Sequence, residues 1–224
     1  MTPTRRAACG VVAVRPHPGA LPRIPDAARP DLLPSAEELV ATALRTGATA
    51  ALAGEVDENG LLVAVETALQ HLARAHRAGG FPVTVRTAPR LTTGLDVAGV
   101  VDRERIDPAA VLLTGCGAAR DPDHLAELGA CGFRLGVECS PDDERAADLV
   151  AELCRRGLAD RVVLLDGRGT GARTRRDPVE RALRRRGVSD GGVAAVLGGT
   201  VSTWAARRWR PTGAGGGVSI PSPE

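Results

Sequence analysis

The chain has 224 residues, of which 43% are hydrophobic and 25% are charged, and its formal net charge is +2. This balance is typical of a globular protein, and so small a net charge argues against nucleic acid or an acidic membrane surface as a partner. No apolar segment is long enough to cross a membrane, and five cysteines without a CxxC pair predict reduced thiols in a cytoplasmic protein.

Six short apolar runs along the chain predict β-strands. They are almost continuously apolar rather than alternating, which is typical of parallel strands that are covered on both faces. In chain order the predicted strands are Cys9–Val14, Ala50–Val56, Pro82–Thr87, Val111–Cys116, Phe133–Cys139 and Arg161–Asp166.

The segments between these runs have the periodicity of amphipathic helices. Apolar positions recur every three or four residues from Leu62 to His76, and Asp121-Pro122-Asp123 predicts the start of another helix. Ser140 and Gly157 predict the two ends of the helix after the fifth strand. Alternating strands and helices predict an α/β fold with a parallel sheet. About six βα units are recognisable against the eight of a closed (β/α)8 barrel, so the sheet is either an incomplete barrel or an open, doubly wound sheet.

Two stretches fall outside this alternation. Arg15–Pro34 is rich in proline and predicts a long loop. Residues 210–224 are rich in Gly, Pro and Ser and predict a disordered tail. Residues 1–209 are therefore predicted to form a single domain.

Four segments between Ser35 and Trp209 follow one another in a recognisable order. They are SAEELVATALRTGATAALAGEVDENG, AHRAGGFPVTVRTAP, DPAAVLLTGCGAARDPDHLAELGACGFRLGVE and LVAELCRRGLADRVVLLDG. Together they resemble strands four to eight, with the intervening helices, of the phosphotriesterase family in the amidohydrolase superfamily. The resemblance implies a (β/α)8 barrel of which this chain supplies strands three to eight, as a degenerate and N-terminally truncated member.

This resemblance implies a hydrolase that uses two zinc-like metal ions. The ions activate a bridging hydroxide, which attacks phosphotriesters, lactones or other esters. In the family the ligands are an H-x-H on strand one, a carbamylated lysine or a glutamate on strand four, a histidine on each of strands five and six, and an aspartate on strand eight. Imidazole and carboxylate groups suit such ions. This chain has no H-x-H and no lysine, so the carbamylated form of the bridge is impossible here.

The family's ligand positions are poorly filled when they are carried over residue by residue. Glu55 matches the bridging glutamate, but Arg86 stands in place of the strand-five histidine. Gly115 and Gly117 replace the strand-six histidine and the aspartate after it, and Gly167 replaces the strand-eight aspartate. One carboxylate does not hold a divalent cation tightly, so no metal cofactor is expected in this chain. Glu55 is either a surviving metal ligand or the ion-pair partner of Arg86.

Three further side chains end predicted strands and complete a candidate pocket with Glu55 and Arg86. Asp166 and Glu138 are either catalytic or structural carboxylates at a position where barrel enzymes place catalytic groups. Cys116 lies among them, but no aligned histidine is available to generate a thiolate. The four histidines do not match ligand positions, and those on predicted helices are expected at the surface or at helix edges.

The glycines Gly167, Gly169 and Gly171 form a loop after the last predicted strand. Their backbone N–H groups, with the arginines that follow, could cradle a phosphate group. The alternative is a flexible loop, because GxGxG differs from the dinucleotide fingerprint GxGxxG.

These observations predict a phosphotriesterase-like protein without a competent dinuclear site. Two alternatives stay open. One is an active hydrolase whose first strands are encoded upstream of Met1. The other is a binding protein that holds a phosphate-bearing or anionic small molecule through Arg86 and the Gly167–Gly171 loop. The open edges of an incomplete barrel also predict association into homo-oligomers.

Overall fold

A computed structural model describes most of the strands and helices of the chain. The described residues are 9–13, 34–46, 50–55, 63–87, 93–118, 121–139, 144–167, 176–198, 201–207 and 209. The predicted loop up to residue 33 and the predicted tail 210–224 lie outside them.

Strands and helices alternate in this part of the chain. The strands are β1 (Cys9–Ala13), β2 (Ala50–Glu55), β3 (Val83–Arg86), β4 (Val111–Thr114), β5 (Arg134–Cys139) and β6 (Val162–Asp166). The helices are α1 (Ala36–Thr46), α2 (Val63–Gly79), α3 (Thr93–Arg103), α4 (Pro122–Ala130), α5 (Glu144–Arg155), α6 (Arg176–Arg185), α7 (Asp190–Gly198) and α8 (Val201–Ala206). Each predicted strand is therefore present, within two residues of the expected bounds.

The six strands form one sheet in the order in which they occur along the chain. Strands β2 to β6 are parallel, as predicted. Strand β1 is antiparallel to β2, with Val11 opposite Leu52, so the prediction of a parallel first strand is wrong. Residues 14–49 lie between the two strands, and a connection of that length does not fix the direction in which the chain returns. The parallel unit therefore comprises five strands.

The parallel strands are apolar on both faces because helices cover one face and the side chains of the opposite face are buried as well. Val83, Val85 and Val111 face α2 and α3, while Leu112 on the opposite face of β4 is also fully buried. Burial of this kind stabilises a fold by about 25 cal/mol for each Å² of apolar surface removed from water. Among the described helices none is long and apolar enough to span a membrane.

Local sequence signals set the ends of several helices. In α1, Ser35 Oγ accepts from the backbone N–H of Glu38 at 3.2 Å while the Glu38 carboxylate accepts from Ser35 N at 2.7 Å, a capping box. Asp121 caps α4 as predicted. After α5, Gly157 has a φ of +80° and Leu158 N donates to Leu153 O at 3.0 Å, which ends the helix at the predicted glycine.

The C-terminal helix and the residues after it cover the amino ends of the central strands. The buried indole of Trp204 donates to Ala110 O at 3.0 Å, immediately before β4. The backbone N–H of the buried Trp209 donates to Gly80 O at 2.8 Å, shortly before β3. The two tryptophans of the chain therefore hold this segment against the sheet, which leaves the carboxyl ends as the opposite rim.

Candidate functional site

The candidate residues from the sequence lie at the carboxyl ends of the parallel strands. Glu55 is the register partner of Arg86, Arg86 pairs with Thr114, and Cys139 pairs with Asp166. Because parallel strands end at one edge of a sheet, these positions form a single rim. The backbones of these positions therefore lie along one edge of the sheet, and their roles as site residues stay predictions.

Arg86 is the exposed residue at the end of β3, whose other three residues are buried. It lies beside Glu55 in the ladder, although the side chain of Glu55 is outside the described part of the structure. The predicted ion pair between the two therefore stays a prediction. What the backbone establishes is that a permanent positive charge occupies the strand end adjacent to Glu55.

The turn after β4 has a geometry that only glycine fits. Gly115 has a φ of +90°, and a Cβ atom built on it would lie 2.5 Å from the carbonyl oxygen of Thr87. That carbonyl is held in place, since Thr87 N donates to Thr114 O at 3.0 Å and its hydroxyl donates to the same oxygen at 3.2 Å. A side chain at position 115 would meet both backbone strain and a steric clash with a fixed atom.

Glu138 is bound to the same turn through both of its carboxylate oxygens. Oε1 accepts from Gly115 N at 2.7 Å, and Oε2 accepts from Gly117 N at 3.2 Å. Gly117 is also tightly placed, because a Cβ atom there would lie 2.5 Å from the carbonyl oxygen of Glu138. A half-buried carboxylate that accepts two backbone N–H groups is a charge-assisted pair, which fixes β5 to the end of β4.

The thiol of Cys116 does not open onto this rim. The side chain is 2% exposed, and its Sγ lies 3.4 Å from Leu113 O. Burial raises the pKa of the thiol far above its ordinary value, and the carboxylate of Glu138 adds to the increase. Cys116 is therefore a protonated, buried residue at neutral pH rather than a nucleophile. Cys139, at the end of β5, is also buried.

The last strand brings Asp166 and Gly167 to the rim beside β5. Asp166 is half-buried, and Gly167 N donates to Cys139 O at 3.0 Å, which extends the pairing of the two strands by one residue. The remaining glycines of the predicted phosphate loop, Gly169 and Gly171, lie outside the described residues. The predicted phosphate cradle therefore stays a prediction.

The three histidines among the described residues lie on helices rather than at strand ends, His71 and His76 on α2 and His124 on α4. The surface position expected for His76 is wrong, because its side chain is fully buried and Nδ1 lies 2.6 Å from Phe81 O. With Nδ1–H donating to that carbonyl, the ring is the neutral tautomer with a bare Nε2. His71 is half-buried against Pro34 O at 3.0 Å, and His124 is half-buried in the first turn of α4. His17 lies outside the described residues.

The donor set at the rim does not fit a dinuclear metal site. Within the described ranges, no group of three or more His, Cys, Asp or Glu side chains is placed to hold a metal ion. The reason lies in particular residues: position 86 carries a cation, positions 115 and 167 have no side chain, and Glu138 is bound to backbone N–H groups. Zinc sites use three or four protein ligands, which these positions do not supply.

The chain is similar in sequence to known proteins of one family. Residues 36–180 match the model of the phosphotriesterase family. A phosphotriesterase homology protein of Mycobacterium tuberculosis strain CDC 1551 / Oshkosh is 37% identical over 114 residues, which are 48% of this chain and 35% of that protein. The corresponding protein of strain ATCC 25618 / H37Rv gives the same values.

A solved structure gives an independent comparison of the fold. The phosphotriesterase from Mycobacterium tuberculosis aligns with a TM-score of 0.61 and 26% identity over 70% of this chain and 55% of that one. This similarity confirms the predicted fold class, an α/β fold of the (β/α)8 type, of which the described residues supply one sheet of six strands. The chain spans about a third of the length of the curated relatives that it matches.

Proposed function

This chain belongs to the phosphotriesterase family, and from that premise we propose that it is a member without dinuclear metal-dependent hydrolase activity. The proposal concerns the strand ends between residues 50 and 167, where the resemblance places a bridging carboxylate and three further ligands. It applies whatever other segments adjoin them, because a two-metal site needs the ligands of these strands.

The observation that carries the proposal is the geometry at Gly115. The resemblance places a metal-binding histidine at this position, where the backbone has a φ of +90° and a Cβ atom would lie 2.5 Å from Thr87 O. An imidazole could be accommodated only if the turn after β4 moved away from β3. Replacing Gly115 by histidine would therefore not be enough to restore the ligand, because the backbone of the turn after β4 would also have to change.

Glu138 gives the second line of support. Its carboxylate is bound by the N–H groups of Gly115 and Gly117, so the turn is fixed by an internal anion. The two charge-assisted hydrogen bonds hold the turn after β4 in place, as a bound metal ion would otherwise do. Each stabilises the fold by roughly 1.5–3 kcal/mol.

Electrostatics at Arg86 point in the same direction. A guanidinium keeps its charge at any physiological pH, and two unit charges 4 Å apart interact with about 4 kcal/mol at an effective dielectric constant of 20. A divalent ion next to position 86 would therefore be repelled. An anion at the same place would be attracted.

The proposal is tested with the full chain in the presence of zinc, manganese or cobalt. We expect no hydrolysis of a phosphotriester or a lactone above the rate with metal alone, and a melting temperature that a chelator leaves unchanged. Metal that binds only the folded state would raise the melting temperature, so the second measurement does not depend on the choice of substrate. Metal-dependent turnover that disappears in Glu55→Ala would overturn the proposal.

A second candidate function is the binding of a phosphate-bearing or other anionic small molecule at this rim. It is favoured by the exposed position of Arg86 beside the turn after β4. Binding of a phosphate monoester measured by titration calorimetry should then be lost in Arg86→Gln and retained in Arg181→Gln, which removes an exposed arginine of α6. Equal binding by both variants would reject this candidate.

A further inference from the structure

Arg134, the first residue of β5, is a half-buried cation that makes no ion pair within the described part of the chain. Its Nε atom is shielded from solvent and has no acceptor, and no acid of the described residues is within ion-pair distance of it. Leu135 lies 3.5 Å from the position of a Cβ atom on Gly129 of α4, so it faces the helices. Because side chains alternate along a strand, Arg134 faces the barrel interior.

A second arginine lies beside it on the neighbouring strand. Leu135 pairs with Val162, so the residues preceding them, Arg134 and Arg161, lie side by side at the amino ends of β5 and β6. The Arg161 guanidinium donates to Gly132 O at 3.2 Å, close to the start of β5. Like charges at adjacent positions of a sheet destabilise it unless a counter-charge is present.

A third arginine belongs to the segment that covers the amino ends of the strands. The guanidinium of Arg207 lies 4.3 Å from the ring centre of Trp209. The indole Nε1 of Trp209 is buried and, like Arg134 Nε, has no acceptor among the described residues. Burial is the largest influence that lowers the pKa of Arg134. The charges of Arg161 and Arg207 lower it further, and those of Asp160 and Asp107 raise it.

The two carboxylates near Arg134 make contacts with other groups. Asp160 Oδ2 lies 3.5 Å from Arg161 Nε, and Asp107 Oδ1 accepts from Ala109 N at 2.9 Å. Among the described contacts, neither of these carboxylates reaches Arg134. Buried donors in proteins are normally hydrogen-bonded, so the Nε atom of Arg134, which has no acceptor, indicates that an acceptor is missing beside it.

We propose that the amino end of the barrel, between Arg134, Arg161 and Arg207, is a binding site for a phosphate-sized oxyanion. The planar guanidinium groups supply the paired donors that suit such an anion. Arg134 remains partly open to solvent, which provides access for the ligand. This site lies at the opposite end of the strands from Arg86. A negative result for the oxyanion site therefore leaves the proposed function unaffected, and a negative result for the proposed function leaves the oxyanion site unaffected.

The test compares inorganic phosphate with chloride at equal ionic strength, using the full chain. We expect phosphate at a hundred-fold excess over its dissociation constant to raise the melting temperature by about 5 °C or more, and chloride to have little effect. In Arg134→Gln the response to phosphate should be lost, while the stability without phosphate should be unchanged or higher, because an unmatched cation has been removed. Arg181→Gln, which removes an exposed arginine of α6, should respond as the unmodified chain does.

Other outcomes count against the site. Equal effects of phosphate and chloride, or an undiminished phosphate response in Arg134→Gln, would overturn it. If Arg134→Gln does not fold, Arg161→Gln replaces it, and calorimetric titration of the unmodified chain decides independently. The absence of phosphate binding at millimolar concentration in that titration rejects the site.

Discussion

The two ends of the parallel sheet differ in how their polar groups are satisfied. At the carboxyl end, the Glu138 carboxylate binds the N–H groups of Gly115 and Gly117, and Thr87 binds the end of β4. At the amino end, Arg134 Nε, His76 Nε2 and the indole Nε1 of Trp209 are buried and lack partners among the described residues. Among the described residues, the turn after β4 at the carboxyl end is therefore satisfied by internal hydrogen bonds, whereas the amino end carries buried polar groups without partners.

The largest effect on stability should come from placing a histidine, the family's ligand at this position, into the turn after β4. Gly115→His should lower the free energy of unfolding by about 3 kcal/mol or more, because positive φ and the clash with Thr87 O act together. It should not create metal binding. Denaturant unfolding of the variant measures the loss.

A matched control separates the two causes of that loss. Gly157 has a φ of +80°, and a Cβ atom added there would meet nothing within 4 Å, so Gly157→His carries the backbone cost alone, about 1 kcal/mol. If the two histidine variants lose equal stability, the steric closure of the turn after β4 is refuted.

A smaller effect is expected when the internal anion is neutralised. Glu138→Gln keeps one acceptor oxygen but removes the charge and presents an N–H group to a backbone donor. The loss should be roughly 1.5–3 kcal/mol in urea unfolding. Glu127→Gln, on the exposed side of α4, should change the stability by less than about 0.5 kcal/mol. A loss at position 138 no greater than that of this control would show that the two hydrogen bonds of Glu138 contribute nothing.

The smallest effect concerns His76 at the amino end. Burial lowers the pKa of His76, although the hydrogen bond to Phe81 and the charge of Asp107 act to raise it. Below pH 6.5 the unfolded chain therefore takes up a proton that the folded chain does not, and stability falls on acidification by up to about 1.4 kcal/mol per pH unit. Above that pH the group contributes no pH dependence.

The measurement for His76 is the stability difference between the chain and His76→Gln at about pH 7.5 and at about pH 5, on either side of the ordinary histidine pKa. The pH dependence should be weaker in His76→Gln than in the unmodified chain. Identical pH profiles for the chain and the His76 variant would mean that the buried ring takes up its proton in the folded state.

Much of the fold follows from the sequence because parallel strands leave a strong signal. Continuous apolar runs located β2 to β6, and Asp121 and Gly157 marked helix ends. The direction of β1 could not be predicted, because an apolar run does not indicate whether a strand is parallel or antiparallel to its neighbour. The burial of His76 does have a sequence signal, because this residue lies on the apolar stripe that begins at Leu62.

The site was predictable in part. The resemblance placed Arg86 and Gly115 at the ends of strands, and they lie at the end of β3 and directly after β4. Their replacement of metal ligands stays a prediction. The resemblance did not indicate that Glu138, 23 residues further along the chain, would bind the turn through Gly115 N, because that contact depends on how β4 and β5 are staggered. The environment of Arg134 was equally hidden, since only three-dimensional packing shows that no acid of the described residues reaches it.

The metal content of the purified full chain tests the central claim most directly. After expression in medium supplemented with zinc and removal of loosely bound ions, elemental analysis should give well below one metal ion per chain. Two ions per chain, lost in Glu55→Ala and in Asp166→Ala, would contradict the account. That result would mean that the carboxyl rim binds two metal ions despite Arg86 and the glycine at position 115.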